Sequence, residues 1–289
     1  MGLLSTARFI LQHPIGQRAP LRSLGDWVKW QVGSRILPGP AILSWVGGTR
    51  LIVAPGMTGA TGNLYVGLHE IEEMAFALHL LRPGDLMLDV GANIGSYTVL
   101  AAGAAGATVH AFEPVATSHA RLADNVRLNG LEARVTLHAV AVGAEDGEMR
   151  MEVDQDTTNR VLESAETSSN ATALVPVAAL DSLFPDAHPV FIKIDVEGFE
   201  AAVLDGARAI LGRTMAVVSE VSKHGERVFA AFAAAGLHPV RYEPFSRRLV
   251  PLATPACNER GNTLWLRDLD WAADRLRQAP RYTVKGLTL

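Results

Sequence analysis

The sequence predicts an α/β protein built on a mostly parallel sheet, on three observations. Short apolar runs alternate with segments of helical period from residue 86 onward, the signature of strands joined by crossover helices. A glycine-rich turn, Asp89-Val90-Gly91-Ala92-Asn93-Ile94-Gly95, leads from the first of these runs into a small-residue helix. The chain has 289 residues, of which 48% are hydrophobic and 19% charged, enough to bury one large core with additions.

Residues 1–60 read differently from the rest. Trp27, Trp30 and Trp45, scattered arginines and a stretch broken by Pro and Gly from Pro38 to Gly62 predict one or two amphipathic helices, then a short hairpin around Gly47-Gly48. We take this segment as an appendage or cap on the main domain, 61–268. Apolar positions at Ile71, Met74, Ala75, Leu78 and Leu81 give a helix over Glu70–Leu81, stopped by Pro83-Gly84-Asp85. Leu86–Val90 is strand one and Ser96–Ala105 a helix, followed by strand two at Thr108–Phe112. The next helix carries Leu122 and Val126 and ends at Asn129-Gly130. Val135–Val140 is strand three. Polar clusters make 143–178 an insertion, of the length that goes with a lid or a hairpin. Val190–Asp195 and Met215–Glu220 supply strands four and five, with a helix at Glu226–Ala235. His238–Tyr242 and Thr263–Leu266 close the sheet as a terminal hairpin, and 269–289 is a short tail.

Charge and cysteine content narrow the function. A net charge of −4 argues against a generic nucleic-acid binder, which needs clustered cations. The single cysteine, Cys257, excludes an internal disulfide and a Cys-rich zinc site, and fits a reducing, cytoplasmic setting. No run approaches the ~20 apolar residues of a membrane span. His69-Glu70-Ile71-Glu72-Glu73 lacks the second histidine of a zinc-protease helix, and the histidines are scattered, so no built-in metal is expected.

The chemistry concentrates in two segments. A dinucleotide turn would read G-x-G-x-x-G, but here Asn93 and Ser96 take the second and third glycine positions. G-x-N-x-G with Asp89 two residues earlier suits S-adenosylmethionine (SAM) better than NAD. Glu113, 22 residues after Gly91 and just beyond strand two, can accept both ribose hydroxyls. The stretch His138–Ala141 lies where an adenine would sit, with Ala139 as a backbone contact, while His138 itself reads as structural. The second segment is Phe191-Ile192-Lys193-Ile194-Asp195-Val196-Glu197-Gly198-Phe199-Glu200. Alternation puts Lys193, Asp195 and Glu197 on one side of a central strand, where charges need partners or a wet crevice. A structural Lys193–Asp195 pair is the plainer reading; a substrate-facing Asp195 is the sharper one. Glu220, ending strand five, and His224 can reach the same crevice, His224 either as a general base or as an exposed helix-start residue. Tyr65 reads as a core residue bordering the site.

These motifs, DVGANIGSYTVLAA (89–102), FEP (112–114), Asn125 with Asn129, AVG (141–143), and FIKIDVEGFE (191–200) followed by Leu204-Asp205-Gly206-Ala207, resemble the FkbM family of methyltransferases over roughly residues 60–266. The resemblance implies a class I, Rossmann-like methyltransferase fold: a seven-stranded, mostly parallel sheet with helices on both faces and an antiparallel last strand. It implies SAM as cofactor, with Asp89, Gly91, Asn93, Gly95 and Glu113 as its contacts and Asp195 and Glu197 in the active site. It further implies O-methylation of a small acceptor, a saccharide, glycolipid or other oxygenated molecule. An NAD-dependent oxidoreductase on the same sheet and a non-catalytic SAM-binding scaffold are the competing readings. The absence of a Y-x-x-x-K pair weighs against the first, and the paired acids Asp195 and Glu197 against the second.

Overall fold

A computed structural model describes residues 2–152, 172–196, 198–220, 225–252 and 262–289. The expected Glu197 and His224, and the tip of the 143–178 insertion, lie outside those residues.

Three helices open the chain: α1 (Leu3–Gln12), α2 (Pro14–Arg18) and α3 (Pro20–Ile36). Proline stands in the first turn of α2 and of α3, where its missing N–H costs nothing. The expected hairpin follows as β1 (Ala41–Ser44) and β2 (Arg50–Val53), turning through Val46–Gly48. Helix α4 (Thr58–Val66), which the sequence reading did not resolve from the Pro/Gly-broken region, leads to α5 (Ile71–Leu80).

Then the alternating core begins. It runs through β3 (Leu86–Val90), α6 (Ser96–Val99) with a π-helical turn at Leu100–Ala104, β4 (Thr108–Phe112), α7 (Ala116–Leu128) and β5 (Val135–His138). The expected strand three thus ends at His138 rather than Val140. β6 (Ala141–Val142), just before the insertion, joins β7 (Gly147–Glu152) and β8 (Thr172–Ala178) within it in a separate three-stranded sheet ordered β6-β8-β7. After α8 (Leu180–Leu183) come β9 (Phe191–Ile194), α9 (Glu200–Asp205), α10 (Arg208–Leu211), β10 (Ala216–Glu220) and α11 (Gly225–Ala234). The chain closes with β11 (His238–Glu243), β12 (Arg248–Pro251), β13 (Asn262–Leu266), α12 (Leu269–Arg277), β14 (Thr283–Val284) and β15 (Leu287–Thr288).

The main sheet has the order β12-β11-β13-β10-β9-β3-β4-β5. Five strands, β5 to β10 in that order, are parallel; β13 is antiparallel to both β10 and β11. The seven expected strands are all present, and β12 adds an eighth at the edge. The tight hairpin therefore joins β11 to β12, while β13 inserts between β10 and β11. Pro251 in β12 marks an edge position, where no inward ladder bond is lost. Residues 269–289 are folded back rather than trailing as a tail, α12 against α5 and the β14–β15 hairpin against the Val46–Gly48 turn.

Burial follows from this layering. All four side chains of β9 are buried, as expected for a central parallel strand. One apolar cluster, including Phe76, Leu100 and Phe191, fills the sheet face under α5 and the N-terminal helices. A second, including Ile192, Val203 and Trp265, fills the face under α9 to α11. Asn125 and Asn129 on α7 clamp β2 in place: Ile52 N–H donates to Asn125 Oδ1 at 2.8 Å and Arg50 N–H to Asn129 Oδ1 at 2.7 Å. Among the described residues, no helix is long and apolar enough to cross a membrane.

Candidate functional site

Strand order reverses between β3 and β9. The chain proceeds from β3 outward through β4 and β5, then returns to the other side of β3 at β9. Crevices form at the carboxyl ends of the strands at such a switch point, and both segments singled out above end there.

The turn after β3 depends on backbone conformations that side chains resist. Gly91 has φ +74°, and a Cβ there would lie 1.9 Å from the Asp195 carbonyl oxygen. Asn93 follows at φ +50°, a region asparagine tolerates better than most residues. Its N–H donates to Glu113 Oε2 at 2.9 Å, while Val115 N–H donates to Glu113 Oε1 at 2.9 Å. Burial pushes the Glu113 carboxyl up, and these two N–H groups pull it back toward the ionised form. Gly95, at φ +90°, makes room for Leu122 of α7, 2.4 Å from where its Cβ would be. It is in the lining of neither cavity described below, and its place at the α6 start lets that helix pack on α7.

Lys193 is the buried hub. Its Nζ donates to the Gly91 carbonyl at 2.6 Å and lies 3.1 Å from Asp195 Oδ2 and 3.7 Å from Asp89 Oδ1. Burial alone would lower this ammonium; Asp195, Asp89 and Glu70 together hold it above the ordinary lysine range. Asp89 is fully buried and accepts from Thr98 Oγ1 at 2.6 Å. Its other oxygen faces only Lys193, and burial raises its carboxyl. Asp89 is in the lining of neither cavity described below and sits behind Lys193 as its counter-charge.

Two cavities flank this hub. The first, about 690 Å³, is walled by Gly91, Phe112, Glu113, Val142, Met151 and Phe199, with Asn93 and Asp195 at its inner end. Val140 and Ala141, not Ala139, supply the wall expected from the stretch after strand three. His138 stacks on Phe112 with ring centroids 4.5 Å apart and pairs with His110 at 2.9 Å, a structural place. The second cavity, about 1080 Å³, is polar. Lys193, Glu220, Glu70, Asn63 and Asn262 line it, again with Asn93 and Asp195.

The second cavity holds residues the sequence reading passed over. Glu70 accepts from Tyr97 Oη at 2.8 Å and from Asn262 Nδ2 at 3.0 Å, bonds that span 27 and 192 residues of chain. Desolvation and the neighbouring Glu70 and Glu73 push the Tyr97 phenol well up, so it stays a donor. The one sequence signal for Glu70 was its place at the start of α5, next to His69. Tyr65 is buried and walls a separate cleft beside α3, not either of these cavities.

A sheet of this order, a glycine turn after its first core strand, an acid just past the second and a cavity at the reversal define a class I methyltransferase fold. The model of the methyltransferase FkbM domain matches residues 89–237, just over half of the chain, and the chain belongs to that family. The 31-O-demethyl-FK506 methyltransferase FkbM of Streptomyces tacrolimicus is 43% identical over 79 residues, which are 27% of this chain and 30% of that protein. The match therefore spans under a third of that relative's length. The methyltransferase FkbM of Methylobacillus flagellatus superposes with a TM-score of 0.45 at 19% identity, covering 72% of this chain and 52% of that one. A SAM-dependent O-methyltransferase of Thermotoga maritima gives 0.38 at 15% identity, covering 75% and 66%.

Proposed function

We propose that this protein transfers a methyl group from SAM to a hydroxyl oxygen of a small oxygenated acceptor, a saccharide or glycolipid being the kind that fits. One observation carries the reading: Asn93 and Asp195 each line both cavities, so an apolar-walled cleft and a polar one share a carboxylate in their walls. Phe112, Val142 and Met151 suit an adenine. Glu113 suits a ribose, because each of its oxygens spends one lone-pair site on a backbone N–H and keeps another. Glu70 and Glu220, which line the polar cavity, suit a cation.

When bound, the cofactor supplies an electrophilic methyl on a positively charged sulfur. The chain's own residues do the rest. Asp195 accepts the proton of an acceptor hydroxyl, help worth about 10²–10⁴-fold in rate. Its side chain is 40% exposed and lines the cavity, and Lys193, 3.1 Å behind it, fixes its position. Glu70, held from two sides by Tyr97 and Asn262, grips a second acceptor hydroxyl. Holding both partners in line accounts for roughly 7–11 kcal/mol of barrier lowering.

The test uses methyl-labelled SAM and a small-molecule extract of the source organism. The expected result is one labelled product carrying a new O-methyl group, and its loss by about 10²–10⁴-fold with Asp195→Asn at unchanged SAM affinity. Equal labelling by the variant removes Asp195 from the proton transfer.

A further inference from the structure

We infer that the outer face of α1 and α3 docks on an anionic lipid surface. Among the described residues, nine of the eleven exposed large hydrophobic side chains fall between Leu3 and Ile42, so exposure is concentrated in this segment. On α3, positions 21, 25, 28, 32 and 36 follow one helical stripe, with Leu21 89% and Ile36 69% exposed and Val28 and Val32 between them. The opposite face, Leu24, Trp27 and Trp30, packs on the protein core. A helix apolar on two opposite sides has a partner on each. On α1, Leu4 and Leu11 lie along one exposed edge with Arg8 between them.

Charge decides what covers the stripe. Arg22 and Lys29 flank it on one side and Arg35 on the other. The first 50 residues hold six cations against the single acid Asp26, which Lys285 engages at one oxygen and Lys29, 82% exposed, approaches at the other at 3.7 Å. The remaining residues carry a net −9. A second copy of the chain would set this positive face against itself. An anionic bilayer instead takes the apolar stripe into its headgroup boundary and leaves the arginine and lysine heads at the phosphates. Arg35 also walls, with Phe9, Trp30 and Gln31, an open cleft that shares His69 with the polar cavity. Docking so oriented brings that cleft to the lipid surface. Only this last step, by which an acceptor would be drawn from the membrane, rests on the function proposed above.

The test is co-sedimentation of the full chain with phosphatidylcholine vesicles, with and without phosphatidylglycerol, in the absence of SAM. Binding to the mixed vesicles is expected, weakening at least about tenfold without the anionic lipid and again as salt rises. Val28→Asn with Val32→Asn should weaken it by roughly tenfold or more, and Lys29→Ala by roughly fivefold. Unchanged circular dichroism and melting show that these surface variants are folded. Absence of binding to the mixed vesicles, or equal binding by the double asparagine variant, overturns the inference. So does a solution dimer that ignores vesicles and that the same variant splits, which would give the face to a second copy. None of these outcomes depends on methyl transfer.

Discussion

Replacing Lys193 by methionine tests the buried hub. The side chain keeps its length, but the ammonium that serves Gly91 O, Asp195 and Asp89 is gone. Asp89 is then a fully buried carboxylate with Thr98 as its only hydrogen-bond donor. Breaking a buried pair from one side costs about 3–5 kcal/mol, a fall in Tm on the order of 10 °C for a chain of this size. The pH dependence has a definite sign. Asp89 is already raised in the folded protein, and losing Lys193 raises it further. The stability tied to a raised carboxyl is present below its unfolded value of about 3.9 and lost as pH rises through the folded one. The deficit of Lys193→Met is therefore largest at neutral pH and shrinks toward pH 4. Adding Asp89→Asn removes the stranded charge and should restore at least half of the loss, a coupling that a double-mutant cycle in urea measures directly. An unchanged Tm for Lys193→Met, or additive losses in the double variant, would refute the buried triad as the element that shapes the site.

Gly91→Ala adds a Cβ 1.9 Å from the Asp195 carbonyl at a positive φ, so it should cost roughly 2–5 kcal/mol and displace Asp195 from the wall the two cavities share; denaturant melts check the first and the methyl-transfer rate the second. His79 is buried against the Tyr242 hydroxyl, and desolvation, with Arg247 and Arg82 nearby, holds its imidazole down at about 3. Below pH 6.5 the unfolded chain takes up this proton and the folded one does not, so stability falls with pH, by about 2 kcal/mol at pH 5. His79→Gln should flatten that part of the slope between pH 7 and 5 in urea melts, and an unaltered slope would show that another group sets it.

The parallel core was legible because each of its strands is a short apolar run between clear stops. Leu86–Val90 and Thr108–Phe112 coincide with β3 and β4 residue for residue. What escaped was set by packing rather than pattern. β12 has little apolar character of its own and exists by pairing with β11. α4 forms from Thr58-Gly59-Ala60-Thr61-Gly62, a composition that reads as loop until α3 and β2 cover it. At the site, Glu113, Asn93 and Asp195 line a cavity because turn geometry fixes where they point. The partners of Asp89, Thr98 on the helix behind it and Lys193 on the neighbouring strand, could not be read from the spacing of the glycine turn. Glu70 and Asn262 meet only through tertiary structure, and no local spacing joins residues so far apart.

The central claim is that the cleft at Glu113 holds SAM, and calorimetric titration tests it without knowledge of the acceptor. The account predicts one SAM bound per chain, no heat with NADH, and an affinity about 100-fold weaker in Glu113→Ala, the worth of two hydrogen bonds to a charged group at roughly 1.5–3 kcal/mol each, partly offset by water. No binding of SAM, saturable binding of NADH, or wild-type affinity in a folded Glu113→Ala variant would contradict it.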